Sequence, residues 1–329
     1  MMRAAVVGVG RIGSTLADDP LLVLAGDIFT HAEAYSKSAL TELVALCDTD
    51  SGQLSAAARR WKINAVFTDP SAMMTIARPQ IVSVCTPTPS HLEVVRSLIE
   101  TEIPPRIILC EKPLARTLGE AEEMARLAAQ RGVMIATIYM RRFAQNIAAL
   151  KAYIDSRELG EIQAVSGWYI GGTFHNGTHW FDMLRMLAGE AAWVEAYNSL
   201  GEEGHDPTLD VVIGMRNGAL ATLRAADSKS HALFEMDIVM TGGRAQITDS
   251  GHVVSLSRTA PSPRYSGYVE LEPVDINLGH RRDLMLHAVE DAVQAVTLSR
   301  APACTVEDGL AAMRIADAAS RSSGTRISL

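Results

Sequence analysis

Short apolar runs alternate with amphipathic stretches through the first 139 residues of the chain. Ala4-Ala5-Val6-Val7, Leu43-Val44-Ala45-Leu46, Ile81-Val82-Ser83-Val84 and Ile107-Ile108-Leu109 are apolar at nearly every position, as strands buried on both faces must be. Between them, 53–61, 91–99 and 118–130 repeat apolar residues at helical spacing. This βαβ alternation predicts a doubly wound parallel sheet with helices on both sides, closed by a last strand over 133–139.

Beyond residue 139 the period changes. A helical segment at 146–154 precedes an alternating strand at 162–170 and another helix at 179–187. Strand-like segments then follow one another at 193–198, 210–215, 219–225, 235–240 and 245–249. Asn217-Gly218 and Gly242-Gly243 turns between them signal hairpins and antiparallel pairing. Helical patterns return at 283–298 and 306–319, and 258–268, with Pro261, Pro263 and Gly267, reads as a mobile loop. The expected fold class is α/β, in two domains: a parallel one over 1–139, and an α/β one over 140–329 with a mainly antiparallel, open sheet.

Composition narrows the function. A chain of 329 residues is longer than one core usually grows, which supports two domains. Net charge is −8 with acids and bases interspersed, so no basic face is available for nucleic acid. No apolar stretch is long enough to span a bilayer, and Met1-Met2-Arg3 leads into a short strand-like run rather than a signal peptide. Cys47, Cys85, Cys110 and Cys304 form no CxxC pair or zinc-type spacing. Three follow apolar runs, where a free thiol packs as a small hydrophobe, so a reducing cytoplasm is the expected location.

The chemistry-bearing segments lie at strand ends. Gly8-Val9-Gly10-Arg11-Ile12-Gly13 follows the first strand and opens a helix: one glycine for the tight turn, one for close approach of a pyrophosphate, one for helix–strand packing. The helix N-terminus adds N–H groups for the phosphates. Asp48 ends the second strand, where a carboxylate accepts from both hydroxyls of an adenosine ribose and repels a 2′-phosphate; Thr49 supplies no compensating arginine, so NAD is preferred over NADP. Asp48 lies 35 residues past Gly13, against a usual spacing of about 20, which places an insertion at 18–38 between helix and strand. Thr86-Pro87-Thr88-Pro89-Ser90-His91 is a proline-stiffened loop after the fourth strand, suited to flank a cofactor or to serve as an inert connection. Cys110-Glu111-Lys112-Pro113 closes the next strand and sets a lysine where open α/β sheets bind ligands.

Taken in order, GVGRIG, Asp48, CTPTPSH, Glu111-Lys112-Pro113, and Gly171-Gly172 with His179 resemble the glucose–fructose oxidoreductase / inositol 2-dehydrogenase (Gfo/Idh/MocA) family along essentially the whole chain. The resemblance implies an NAD-binding Rossmann domain over 1–139, then a substrate-binding and oligomerisation domain over 140–329. It implies a sugar, nucleotide sugar or cyclitol substrate, a homo-oligomer (dimer or tetramer), and a Lys112–Pro113 peptide of the kind commonly cis in the family. The cofactor set it indicates is Gly8, Gly10, Arg11, Ile12, Gly13, Asp48, Thr86, Pro87, His91, Glu111 and Lys112.

Oxidising a secondary alcohol requires a group that takes the hydroxyl proton and a cation that steadies the developing alkoxide. His179 suits the first role and Lys112 the second, while a lysine of depressed pKa is an alternative base. The family pattern D-x-G-x-H puts an aspartate where this chain has His175, in His175-Asn176-Gly177-Thr178-His179. His175 therefore joins the catalytic candidates in place of that carboxylate, and Asp182 is placed to orient His179 or to make a surface ion pair. The HxxxH spacing is interrupted by Gly177 and lacks a third ligand, so no metal is expected. Two other readings remain open: an NAD-dependent glycoside hydrolase or lyase that oxidises transiently, and a non-catalytic NAD-binding sensor.

Overall fold

A computed structural model describes residues 1–329. Six parallel strands form the first sheet: β1 (Met2–Val7), β2 (Thr41–Cys47), β3 (Val66–Phe67), β4 (Ile81–Val84), β5 (Ile107–Cys110) and β6 (Met134–Thr137). Their spatial order is β3-β2-β1-β4-β5-β6. The order reverses between β1 and β4, so the crevice beyond their carboxyl ends is the place for a ligand. β4 and β5 are buried at every position, which is why they read as unbroken apolar runs.

Helices α1 (Pro20–Ala25), α2 (His31–Lys37), α3 (Ser51–Trp61), α4 (Pro70–Ala77), α5 (His91–Ile99) and α6 (Leu118–Arg131) connect these strands. Side-chain caps fix several starts. Asp50 accepts from Gly52 and Gln53 N–H, Asp69 from Ser71 and Ala72, and Thr117 from Glu120. β3 and α4 have no counterpart in the sequence reading, since a two-residue edge strand is too short to show a period.

The insertion overlaps the expected 18–38 but sits within the helix and not after it. Gly10 O accepts from Ser14 N (2.9 Å) and Thr15 N (3.0 Å), so Arg11–Gly13 begin a helical turn. The carbonyls of Ile12 and Gly13 then accept from His31 N (3.2 Å) and Ala32 N (3.0 Å), the first residues of α2. In an uninterrupted helix residues 16 and 17 donate those bonds, so α2 resumes the helix fifteen positions late. Subtracting these fifteen positions from the 35 between Gly13 and Asp48 leaves 20, in line with the usual spacing of about 20. The insertion thus interrupts the helix after its first turn instead of joining helix to strand. It holds α1, whose residues include no buried one.

The second sheet has nine strands: β7 (Ile162–Tyr169), β8 (Ala191–Tyr197), β9 (Asp210–Met215), β10 (Leu220–Ala225), β11 (Phe234–Met240), β12 (Gly243–Thr248), β13 (Val253–Pro261), β14 (Val269–Pro273) and β15 (Ile327–Ser328). They lie in the order β14-β13-β12-β11-β7-β10-β9-β8-β15. Every neighbouring pair is antiparallel except β7 with β10. Helices α7 (Gln145–Asp155) and α8 (Thr178–Ala188) belong with this sheet, and α8 packs on β7, where Gly167 leaves room for the fully buried Trp180. The expected loop 258–268 is shorter. Arg258 to Pro261 continue β13, with Pro261 at its last pairing position opposite Val269. Ser262 Oγ then accepts from Arg264 and Tyr265 N–H and ties the turn.

Two further helices, α9 (Leu284–Leu298) and α10 (Val306–Ser322), complete the chain. Contacts divide it into Met1–Phe143 with Arg282–Leu310, and Ala144–Arg281 with Ala311–Leu329. The first boundary falls just past the expected 139, and α9 returns to the first unit, where it packs on α2 and β5. Its buried stripe of Leu284, Met285, Ala288, Val289, Ala292, Val293 and Val296 explains the return. Each large aliphatic there gains about 1.5–3 kcal/mol from burial. A split of this kind has no signature in linear sequence.

Candidate active site

At the switch point, Gly8 stands at φ +90°, and a β-carbon there would lie 2.6–2.8 Å from the backbone of Cys85 and Thr86. At Gly13 a β-carbon would come within 2.0 Å of Gly8 O. Neither position admits a side chain. Gly10 is open, with only Gln53 Oε1 at 3.8 Å from its would-be β-carbon, and this leaves its backbone approachable. Arg11 is exposed and Ile12 half-buried on the turn that follows. The N–H groups of such a first turn have no partners within the helix and point outward.

Asp48 does more than end β2. Its Oδ2 accepts from Val9 N–H (2.8 Å) inside the glycine loop, and its Oδ1 accepts from Asp50 N–H (2.9 Å). The carboxylate is therefore fixed beside the loop. Across the switch point, Thr86, whose backbone lies against Gly8, has a buried Oγ1 with no hydrogen-bond partner within the chain. Pro87 is exposed and extended (φ −57°, ψ 141°) and delays α5 by the short turn Thr88–Ser90.

His91 differs from the expected cofactor contact. Its ring is 1% exposed, with Nε2 2.8 Å from Thr86 O and Nδ1 3.2 Å from Leu114 O and 3.7 Å from Cys110 Sγ. With Nε2 on the Thr86 carbonyl and Nδ1 beside Leu114 O and Cys110 Sγ, the buried ring ties the Thr86 loop to the segment that follows β5.

Glu111 and Lys112 emerge from β5, and the Lys112–Pro113 peptide is cis. Glu111 Oε1 lies 3.0 Å from His31 Nε2, and Oε2 accepts from Lys112 N–H at 3.3 Å. His31 Nδ1 is 2.7 Å from Ser83 Oγ, which is 2.7 Å from Tyr35 OH. Burial raises the Tyr35 phenol and the Cys85 and Cys110 thiols, with the Glu111 charge adding to both thiols. His31 was invisible in the sequence because the insertion separates it from the glycine loop.

In the second unit, Gly171 (φ +76°) and Gly172 (φ +90°) lead into a wide π-helical turn, Thr173–Gly177, in which Asn176 and Gly177 both donate to Gly172 O at 3.0 Å. His175 is exposed on this turn, His179 is 8% exposed on α8, and Asp182 is buried one turn further along. A carboxylate does stand at the turn, but it comes from the loop before β9. Asp206 accepts from Phe174 N–H (2.7 Å) and His175 N–H (2.9 Å). Its approach requires a glycine at 172, where a β-carbon would collide with it at 2.2 Å. No local pattern could have paired residues so far apart in sequence.

A parallel sheet with a glycine-lined loop at its switch point and a carboxylate fixed at the next strand end defines a dinucleotide-binding protein. Residues 2–139 match the family model described as an oxidoreductase family, NAD-binding Rossmann fold, and 151–329 match that family's C-terminal alpha/beta domain. The chain belongs to the Gfo/Idh/MocA family of oxidoreductases. It is 24% identical over 350 aligned positions to myo-inositol 2-dehydrogenase of Thermotoga maritima, covering 98% of this chain and 96% of that one. Over 161 residues, 49% of this chain and 41% of the relative, it is 31% identical to D-glucoside 3-dehydrogenase of Escherichia coli. Levoglucosan dehydrogenase, solved with NADH and levoglucosan, shares the fold with a TM-score of 0.81 at 19% identity, over 100% of this chain and 99% of that one.

Proposed function

We propose that this protein is an NAD-dependent dehydrogenase acting on a secondary hydroxyl of a sugar, nucleotide sugar or cyclitol. The observation that carries the reading is the glycine loop locked by Asp48 beside the open Gly10 backbone. The unpartnered Thr86 Oγ1 fits a polar ligand at the same place. A carboxylate fixed by two backbone N–H groups favours a free ribose diol over a 2′-phosphate, hence NAD over NADP. Bound NAD supplies the hydride acceptor. Lys112 holds the substrate oxygen and steadies its developing charge, and His179 takes the hydroxyl proton. His175, on the turn capped by Asp206, contributes to substrate selection.

The test is NADH formation with a panel of sugars, nucleotide sugars and cyclitols. Lys112→Ala should lower kcat by about 10²–10³-fold, the usual cost of removing one group that stabilises a developing oxyanion. Undiminished turnover in that variant, or strong preference for NADP, overturns the corresponding assignment. Self-association through the open face of the nine-stranded sheet belongs to the same proposal. That face presents Trp168, Leu220 and Val239 on the central strands.

A further inference from the structure

We infer that His31 is a positioning residue for the Glu111-Lys112 segment, which it holds through a buried hydrogen-bond relay. The inference rests on the dehydrogenase reading above for its kinetic consequences, though not for the relay itself.

The relay runs Tyr35 OH, Ser83 Oγ, His31 Nδ1, His31 Nε2, Glu111 Oε1, with successive contacts of 2.7, 2.7 and 3.0 Å. Tyr35, His31 and Ser83 are all 0% exposed, so they are shielded from bulk water and satisfy one another. One assignment of hydrogens serves every group. Tyr35 donates to Ser83, Ser83 donates to Nδ1, and Nε2–H donates to the Glu111 carboxylate. The reverse direction sets an Nε2 lone pair against a carboxylate oxygen, or demands a buried imidazolium. All donors therefore point toward Glu111, and the buried phenol keeps its proton because burial raises it.

The relay ends inside the protein at Tyr35, so it is no proton route to solvent. What it does is restrain geometry. Glu111 Oε1 is held by the ring and Oε2 accepts the N–H of Lys112, so the backbone carrying the lysine is anchored to α2 and β4. Besides Lys112, whose N–H it accepts, Glu111 faces the Cys85 and Cys110 thiols, which burial and the Glu111 charge keep protonated. A misplacement of about 1 Å at a reacting group costs up to roughly 10²-fold in rate, so the anchor should show in kcat.

The experiment compares His31→Leu, His31→Gln and Glu111→Gln in the full-length protein, with thermal melting as the control for folding. His31→Leu should lower kcat by about 10²-fold with KM for NAD and substrate little changed. His31→Gln, which retains an N–H toward Glu111, should recover most of that loss. The His31→Leu/Glu111→Gln double variant should be no slower than the slower single variant. A folded His31→Leu enzyme with wild-type kcat, or a loss that the glutamine does not rescue and that follows the melting temperature, overturns the inference. If the wild type turns over no substrate, it is the dehydrogenase reading that fails. The relay is then judged by nitrogen NMR of the His31 ring, which must carry a proton on Nε2; a ring protonated on Nδ1 alone defeats it.

Discussion

Side chains around the carboxyl ends of the parallel strands are committed to the loops there before any ligand arrives. Asp48 holds the glycine loop, His91 clamps the Thr86 loop to Leu114, and His31 holds Glu111. The four cysteines are all buried, and none is joined in a disulfide. Burial disfavours the thiolate: it pushes Cys47 up to about 12 and Cys85 and Cys110 above the ordinary thiol range. Because the thiolate is the reactive form, these three should stay almost inert between pH 7 and about pH 9. A thiol-titrating disulfide reagent should therefore count few reactive groups in native protein and four after denaturation. Rapid native labelling at pH 8 of Cys85 or Cys110 contradicts the packing described for the switch point.

Among the elements, the interrupted helix is the most informative. The glycine loop, the first turn and α2 make a single helix in hydrogen-bond terms, with the inserted segment looped out of it. Closing a loop of this length costs little more than closing a shorter one, so the fold absorbs it. Ala17 and Thr30 are the buried residues within 16–30; the rest are exposed or half-buried, including Leu21, Val23 and Leu24. Deleting 16–30 joins Thr15 to His31 and should restore an unbroken helix. The variant should fold and bind NAD with near-wild-type affinity in a fluorescence titration, and melt below wild type because it loses the hydrogen bonds of Asp27 and Ile28 with Asp283 and the Asp18–Arg60 ion pair. Loss of cofactor binding in a folded deletion variant means that the segment contributes to the site directly. Spacing alone does not locate the loop, because a count of residues tells how many are extra and not where the helix breaks.

Across the molecule, the nine-stranded sheet keeps one face open, with Leu220, Ala164 and Val239 in one row and Arg224, Trp168 and Glu235 in another. Between these rows lie Thr222, Ser166 and Asp237, and exposed apolar side chains on such a polar face mark it as an association surface. Light scattering should give a mass that is a multiple of the 35.4 kDa chain, and Val239→Lys with Trp168→Glu should reduce it to the monomer. A monomeric wild type removes this surface from the proposal. The alternation of apolar runs and helical periods was enough to determine a parallel α/β domain followed by a mainly antiparallel one, because burial on two faces or one leaves its period in the residues themselves. The glycine spacing and the Glu111-Lys112-Pro113 segment likewise marked the cofactor end, since backbone geometry restricts which residues fit there. Only the tertiary structure decided that α9 returns to the first unit, that His91 is a clamp, that Asp206 caps the turn bearing His175, and that His31 reaches Glu111. Each of these joins residues distant in sequence through a hydrogen bond or a packed face, and such pairings leave no local pattern to read.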